Sequence, residues 1–269
     1  MKNISNNPIT FYELIDRQHL YTVGNDAKIH PFFPQLQGFI RKWHLEDKKC
    51  LEIGSSKGLF QNVIADYTAV DVAENLRQYY SKPYFVVDSC HLPFSDDFFD
   101  AIFTYATHEH IPDLELALNE ILRVLKPGGV CLFAPAWHTR PWFAEGLAVR
   151  PYRDLTISQK IRKFLIPIRD FVLVRWPRVI LRRAFRLCVH LATGAKAKPL
   201  RYRRLSANYA TFWQSDSDAC NSLDPFDVIL WFKSRGILCH GYSNLLRALL
   251  IRTAALELQK PGSVTSDAG

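Results

Sequence analysis

Several absences narrow what this chain of 269 residues can be. Its six cysteines, Cys50, Cys90, Cys131, Cys188, Cys220 and Cys239, never form a C-x-x-C pair, and several fall inside apolar runs. Buried reduced thiols are therefore expected, and a reducing cytosol is their natural compartment. The opening stretch MKNISNNPIT has no apolar signal core, so export is not expected. No internal repeat occurs, and the small-residue run Pro261 to Gly269 is the one biased segment, read as a frayed tail. The dinucleotide-binding turn G-x-G-x-x-G is also missing: counted from Gly54, it would need glycine at Ser56 and Leu59. A nicotinamide oxidoreductase is disfavoured on that ground.

What is present is concentrated in Cys50 to Asp71, CLEIGSSKGLFQNVIADYTAVD. The short apolar run Cys50 to Ile53 reads as a central parallel strand, followed at once by Gly54. Gly54 and Gly58 bracket Ser55, Ser56 and Lys57, and glycine lets backbone turn sharply and approach a ligand. A helix and a second strand are expected next, the strand ending on Asp71. An ionised carboxylate at a strand tip accepts two hydrogen bonds, which suits a ribose diol on the edge where open α/β sheets bind ligands.

Downstream, Tyr84 to Val87 is β-rich and ends in Asp88-Ser89, and Leu92-Pro93-Phe94-Ser95-Asp96-Asp97 precedes an apolar strand, Phe99 to Tyr105. His108-Glu109-His110-Ile111-Pro112-Asp113 leads into a helix over Leu114 to Leu125, with apolar residues at 114, 118, 121, 122 and 125. Lys126-Pro127-Gly128-Gly129 stops that helix before a fifth strand, Val130 to Ala134.

In these motifs and their order, residues 45–137 resemble the class I S-adenosylmethionine-dependent methyltransferases of the type 11-like group, and residues 222–255 do so loosely. Glu52, Gly54 and Gly58 match the acid and glycine run of the first motif, with Ser56 standing where the family has its middle glycine. The resemblance implies a Rossmann-like, seven-stranded, mostly parallel sheet with helices on both faces, and S-adenosylmethionine as cofactor. It implies that Glu52 orients the methionine end, and that Gly54, Ser55 and Gly58 wrap it. Asp71 would hold the ribose, Asp88 and Ser89 the adenine edge, and Tyr105 the region beside the sulfonium. Ser56 adds a side chain to the turn, and a slightly altered turn is expected there.

Charge divides the chain. Residues 150–204 hold 16 Lys or Arg against two acids, a net of +14, while the remainder is acidic by −6. Within that segment Arg175, Arg178, Arg182 and Arg186 recur at helical spacing among aliphatic residues and Trp176, with Pro177 expected at a helix start or a kink. A transmembrane span is excluded, since no run of about eighteen residues there is free of arginine. Three readings stay open: an amphipathic helix on an anionic membrane surface, a lid packing its apolar face on the core with solvated arginines, or a nucleic-acid surface. The aliphatic content counts against nucleic acid.

Five segments are expected: 1–45, an N-terminal helical cap; 46–137, the cofactor-binding core; 138–222, a basic helical insert; 223–258, the rest of the core sheet; and 259–269, a flexible tail. Phe32 to Trp43 reads as an amphipathic helix, with Tyr12, Tyr21 and His30 expected against the core. Asp224-Pro225 opens a helix that stops at Gly236, and Ile237 to Tyr242 and Ala248 to Thr253 are expected as the last two strands, although 245–258 also has helical propensity.

Methyl transfer from a sulfonium is an in-line displacement, so positioning supplies much of the rate. A base is needed only for a protonated nucleophile; His138 and His108 are the candidates, with His110 behind them. The H-x-H spacing at 108 and 110 has no evident third ligand, so no metal is expected. The function expected is transfer of a methyl group to a hydroxyl-bearing, lipid-linked or membrane-associated small molecule or glycan. A non-catalytic methyltransferase-like module that docks on membranes or partners is the alternative. The location expected is the cytoplasm, or the inner membrane face if residues 150–204 meet lipid.

Overall fold

The computed structural model describes residues 8–17, 26–194 and 197–262. Two helices, α1 (Pro8–Arg17) and α2 (Phe33–Trp43), precede the strands β1 (Cys50–Ile53), β2 (Tyr67–Asp71), β3 (Tyr84–Val86) and β4 (Phe99–Tyr105). Then come α3 (Leu114–Val124), β5 (Leu125–Ala134), α4 (Ile157–Asp170) and α5 (Val172–Thr193). The chain ends through β6 (Arg203–Arg204), β7 (Asn221–Ser222), α6 (Pro225–Lys233), β8 (Leu238–Cys239), α7 (Leu245–Ala248) and β9 (Leu256–Gln259).

Seven strands form one sheet in the order β3-β2-β1-β4-β5-β9-β8, and a separate ribbon pairs β6 with β7. Strands β1 to β5 run parallel, while β9 is antiparallel to both β5 and β8. This is the Rossmann-like, mostly parallel sheet expected. The chain crosses over between β1 and β4, so their carboxyl ends open a crevice at the point where winding reverses.

Strand β1 is buried at every position because apolar layers cover both faces. On one face α3 and α6 pack Leu118, Ile121, Phe226 and Phe232 against Leu51, Ile53 and Ile102. On the other, α2 packs Leu36, Phe39 and Ile40 with Phe60, Tyr67 and Phe103. Helix α3 shows why the stripe at 114, 118 and 121 specifies it: all three side chains are fully buried, and each contributes roughly 1.5–3 kcal/mol.

Four local expectations differ. Residues 57–63 form successive tight turns instead of a helix, since Gly58 sits at φ +67° and breaks any helical run. Strand β5 starts at Leu125, directly after α3, and its pairing with β4 shifts register between Phe99 and Ala101. The last strand is Leu256–Gln259, where Leu256 and Leu258 alternate inward, and not 248–253; Asn244 caps a short helix in that region. This strand enters the expected tail, and Lys260 then pairs with Asp97 at 2.7 Å. Tyr21 and residues 263–269 lie outside the described residues.

The basic segment carries α4 and α5, which meet at Phe171. Thr156 and Gln159 cap α4 reciprocally, and Pro177 lies inside α5. The lid expected with its arginines solvated does not hold. Arg183 of α5 is fully buried, and Arg182 and Arg186 turn to Asp224 and Asp227 of the α6 start. Leu187 joins the core, while other apolar side chains point outward: Phe164 is 68% exposed, Leu173 72%, Leu181 70% and Phe185 67%. Among the described residues no helix is long and apolar enough to cross a membrane.

Candidate active site

The glycine turn is built by two close approaches. Gly54 (φ +72°) receives the Thr107 side chain so closely that a Cβ would lie 2.2 Å from it. A Cβ on Gly58 (φ +67°) would lie 2.7 Å from the Tyr80 ring. Tyr80 fastens the loop between them, its hydroxyl donating to Ser55 Oγ at 2.7 Å and to the Ser56 carbonyl at 2.8 Å. Ser56, where the resembled family has glycine, is held at φ +47°, so this position demands the left-handed conformation and serine bears it.

Asp71 closes the same turn from β2. Its Oδ2 accepts from Ser56 N at 2.9 Å, and its Oδ1 from Val72 N at 2.7 Å and Ala73 N at 3.3 Å. Burial raises its pKa, while these three N–H groups pull it back. A carboxylate offers about four acceptor sites, so Oδ2 keeps one for an incoming hydroxyl. Val87 N donates to the Asp71 carbonyl at 2.9 Å, which brings the segment leading to Asp88 beside the β2 tip. Asp88 is exposed and accepts from Cys90 N at 2.9 Å, while Ser89 is buried. Tyr105, 38% exposed at the β4 tip, has its ring edge-on to His30 with centroids 5.0 Å apart, and 4.7 Å from Phe32.

Gly54, Asp71 and Tyr105 thus stand on the carboxyl edge of three adjacent parallel strands, with Asp88 two residues beyond a fourth. The donor set and the glycine cradle, closed to any side chain, fit an adenosine-bearing cofactor. Glu52 is placed differently from its expected part. It is buried, accepts from the Tyr67 hydroxyl, and burial pushes its carboxyl up to about 8 in spite of that bond.

The candidate bases separate. His108 is fully buried beside Phe133, with Nδ1 3.1 Å from Thr104 Oγ1, and burial lowers it to about 3; it is a core histidine, out of reach of an acceptor. His138 is half-buried with its Nε2 lacking a hydrogen-bond partner. Burial lowers it to about 4 against the pull of Asp224, helped by nearby arginines, so it is neutral at pH 7.

His110 was ranked behind these two, yet the fold surrounds it. Its Nδ1 lies 3.1 Å from Asp218 Oδ2, and its Nε2 3.5 Å from Glu109 Oε1. Burial acts to lower this imidazole, but Asp218 and Glu109 outweigh it and hold it well above the usual value. Asp216 stands in the same group, pushed to about 6 by burial and then by Glu109. The sequence hid this cluster because its halves are separated by the whole basic segment; the one local signal was the D-x-D at 216 and 218.

Residues 51–133 match the family model of a methyltransferase domain. Over 99 residues the chain is 32% identical to squalene methyltransferase 1 of Botryococcus braunii, covering 30% of this chain and 26% of that one. Over 82 residues it is 29% identical to the chloroplastic tocopherol O-methyltransferase of Arabidopsis thaliana, covering 30% of this chain and 23% of that one. It therefore spans about a quarter of the length of these curated relatives. Among solved structures, an S-adenosylmethionine-dependent methyltransferase of Mesorhizobium loti overlays with a TM-score of 0.47 at 10% identity, covering 87% of this chain and 99% of that one.

Sheet order, glycine turn and family match together define a class I methyltransferase domain of the Rossmann-like kind. S-adenosylmethionine is the cofactor of that domain.

Proposed function

We propose that this protein transfers the methyl group of S-adenosylmethionine to a hydroxyl of a lipid-linked or membrane-associated small molecule or glycan, which it meets at an anionic membrane surface. One observation carries the reading: α4 and α5 leave several large apolar side chains, among them Ile157, Phe164, Leu173, Leu181 and Phe185, exposed while the segment around them bears a net charge of +14. Exposed apolar patches of this kind mark interaction sites. A helix face with exposed Phe, Leu and Ile flanked by Lys and Arg suits burial in the headgroup layer. Each basic residue near anionic lipid adds about 1 kcal/mol. The names of the relatives, a squalene and a tocopherol methyltransferase, give apolar acceptors for those proteins and agree with an apolar substrate here; of the two, only the tocopherol O-methyltransferase is named for transfer to oxygen.

In this reading Gly54, Ser55 and Gly58 wrap the methionine part, Asp71 holds the ribose, Asp88 and Ser89 meet the adenine, and Tyr105 lies beside the sulfonium. Bound S-adenosylmethionine supplies an activated methyl group, so the chain's own work is to bind, align and exclude water. His138 carries a neutral imidazole whose buried Nε2 lacks a hydrogen-bond partner; in this reading it meets the acceptor hydroxyl, and so low a pKa makes it a weak proton acceptor.

Co-sedimentation with phosphatidylcholine vesicles, with and without phosphatidylserine, tests the surface. Binding at low salt that needs phosphatidylserine and is lost in Phe164→Glu/Leu181→Glu supports the reading; no binding to anionic vesicles at low salt removes it. Titration of S-adenosylmethionine by calorimetry tests the enzyme reading separately from the non-catalytic alternative.

A further inference from the structure

Three elements converge to bring a third candidate metal ligand beside Glu109 and His110. The turn after β4 contributes Glu109 and His110, the segment before β7 contributes Asp216 and Asp218, and α1 contributes Tyr12. One ligand atom each from Glu109, His110 and Asp216 lies within 4.8 Å of the other two. Glu109 is fully buried, neither of its carboxylate oxygens makes a full hydrogen bond, and its one ion-pair neighbour among the described residues is His110, with Nε2 3.5 Å from Oε1. Among the described residues, neither Glu109 nor Asp216 pairs with a lysine or arginine. A buried carboxylate without a hydrogen bond is costly unless a cation compensates it. We infer that Glu109, His110 and Asp216 form a binding site for a divalent first-row transition-metal ion, with Asp218 orienting the imidazole.

The second carboxylate decides the reading. In His110, Nδ1–H is directed at Asp218 and Nε2 at Glu109. An incoming ion would displace the Nε2 proton, leaving a lone pair toward Glu109 and Asp216 while Nδ1–H stays on Asp218. A histidine that ligates a metal ordinarily donates its other ring N–H to a carboxylate in this way. One imidazole and two carboxylates suit Mn²⁺ or Zn²⁺ better than the all-oxygen shells of Ca²⁺ or Mg²⁺. Asp216 is held at φ +63°, a conformation in which aspartate is among the better-tolerated residues, and this aims its carboxylate from the far side of the insert.

The site is also placed to matter. Glu109 and Asp216 both act electrostatically on Tyr105 at the β4 tip. An ion held there would stand beside the cofactor edge, where it could polarise an acceptor oxygen. That consequence rests on the methyl transfer proposed above; the ion site itself does not.

The experiment is titration of the chelator-treated full chain with Mn²⁺, followed by electron paramagnetic resonance, and with Zn²⁺ by calorimetry. The expected result is one ion per chain, with affinity reduced at least tenfold in Asp216→Asn and in Glu109→Gln, and about 10–100-fold in Asp218→Asn, as for other residues that orient a ligand. Asp97→Asn, on an exposed loop, should bind as the unaltered chain does. Circular dichroism and S-adenosylmethionine binding show whether each variant is folded; Asp216→Asn, an isosteric change at a tolerated backbone angle, is the variant that carries the test. No saturable binding of either ion, or equal binding by Asp216→Asn, overturns the inference. Cofactor binding without ion binding defeats only this site, and ion binding without cofactor binding defeats only the methyl-transfer reading.

Discussion

Arg183, wholly buried in the middle of α5, donates through Nε to Asp224 Oδ1 at 3.0 Å, the same carboxylate oxygen that caps α6 by accepting from Phe226 N at 3.0 Å. Its Nη1 also donates to the carbonyls of Leu249 and Ile251, at 2.7 and 2.8 Å. The basic helix is thereby fastened to the sheet by a charge in the interior beside Leu187, and other apolar residues such as Leu173, Leu181 and Phe185 are left outside.

Removing Asp224 strands Arg183 in the interior, and removing Arg183 leaves Asp224 to Arg182 alone. Arg183→Met is expected to lower stability by about 3–5 kcal/mol, as for a broken buried ion pair. Asp224→Ala loses the pair and also a helix cap worth about 1 kcal/mol. The double variant should fall short of the sum. Arg178→Ala, at an exposed position of the same helix, should stay within about 0.5 kcal/mol of the unaltered chain. Urea unfolding measures all four.

Ser56→Gly should stabilise the cofactor turn. The left-handed conformation costs an L-residue about 1–2 kcal/mol, against about 0.5–1 kcal/mol for glycine's extra freedom when unfolded. A gain of about 0.5–1 kcal/mol is expected in thermal unfolding, with S-adenosylmethionine binding at least as tight. A β-branched Ser56→Val should shift both the other way.

Gly54→Ala should do harm twice over, because the backbone is at φ +72° and the new Cβ would lie 2.2 Å from Thr107. Strain alone costs about 1–3 kcal/mol. Adding Thr107→Ala should recover only part, since the Thr107 Cβ itself would remain 2.7 Å away. Calorimetric loss of cofactor binding together with a lowered Tm is the expected outcome.

Glu52 predicts a pH dependence of the free protein. Its folded pKa is raised from 4.5 to about 8, so its neutral form is the one the fold favours. Below pH 4.5 both folded and unfolded chains hold the proton and there is no penalty; as pH rises from 4.5 to about 8 the folded chain alone keeps it and stability falls. The Tm of Glu52→Gln should therefore pull ahead of the unaltered chain through that window and run parallel to it above. Melting curves of the two across this range decide it.

Much of the domain was legible locally. A strand-turn-strand ending on an acid, an i, i+3, i+4 stripe in α3 and an Asp-Pro helix start are short-range patterns, and short-range sterics and burial enforce them wherever they occur. The turns at 57–63 and the true position of β9 were not legible. The first depends on Tyr80 reaching back to the loop, the second on alternating contacts with β5 and β8. The inward turn of the α5 arginines is not legible for a related reason: helical spacing reveals which residues share a face, but not which face meets the protein.

By itself the sequence determined the parallel sheet, the glycine bend and the acid at the tip of β2, because each follows from backbone geometry and burial within a few dozen residues. Only the tertiary structure decided that arginine goes inward on α5, that His108 is core, and that Asp216 and Asp218 come to stand around His110. Those outcomes turn on charge partners from distant segments, and the energy of a buried charge depends on what stands beside it in space.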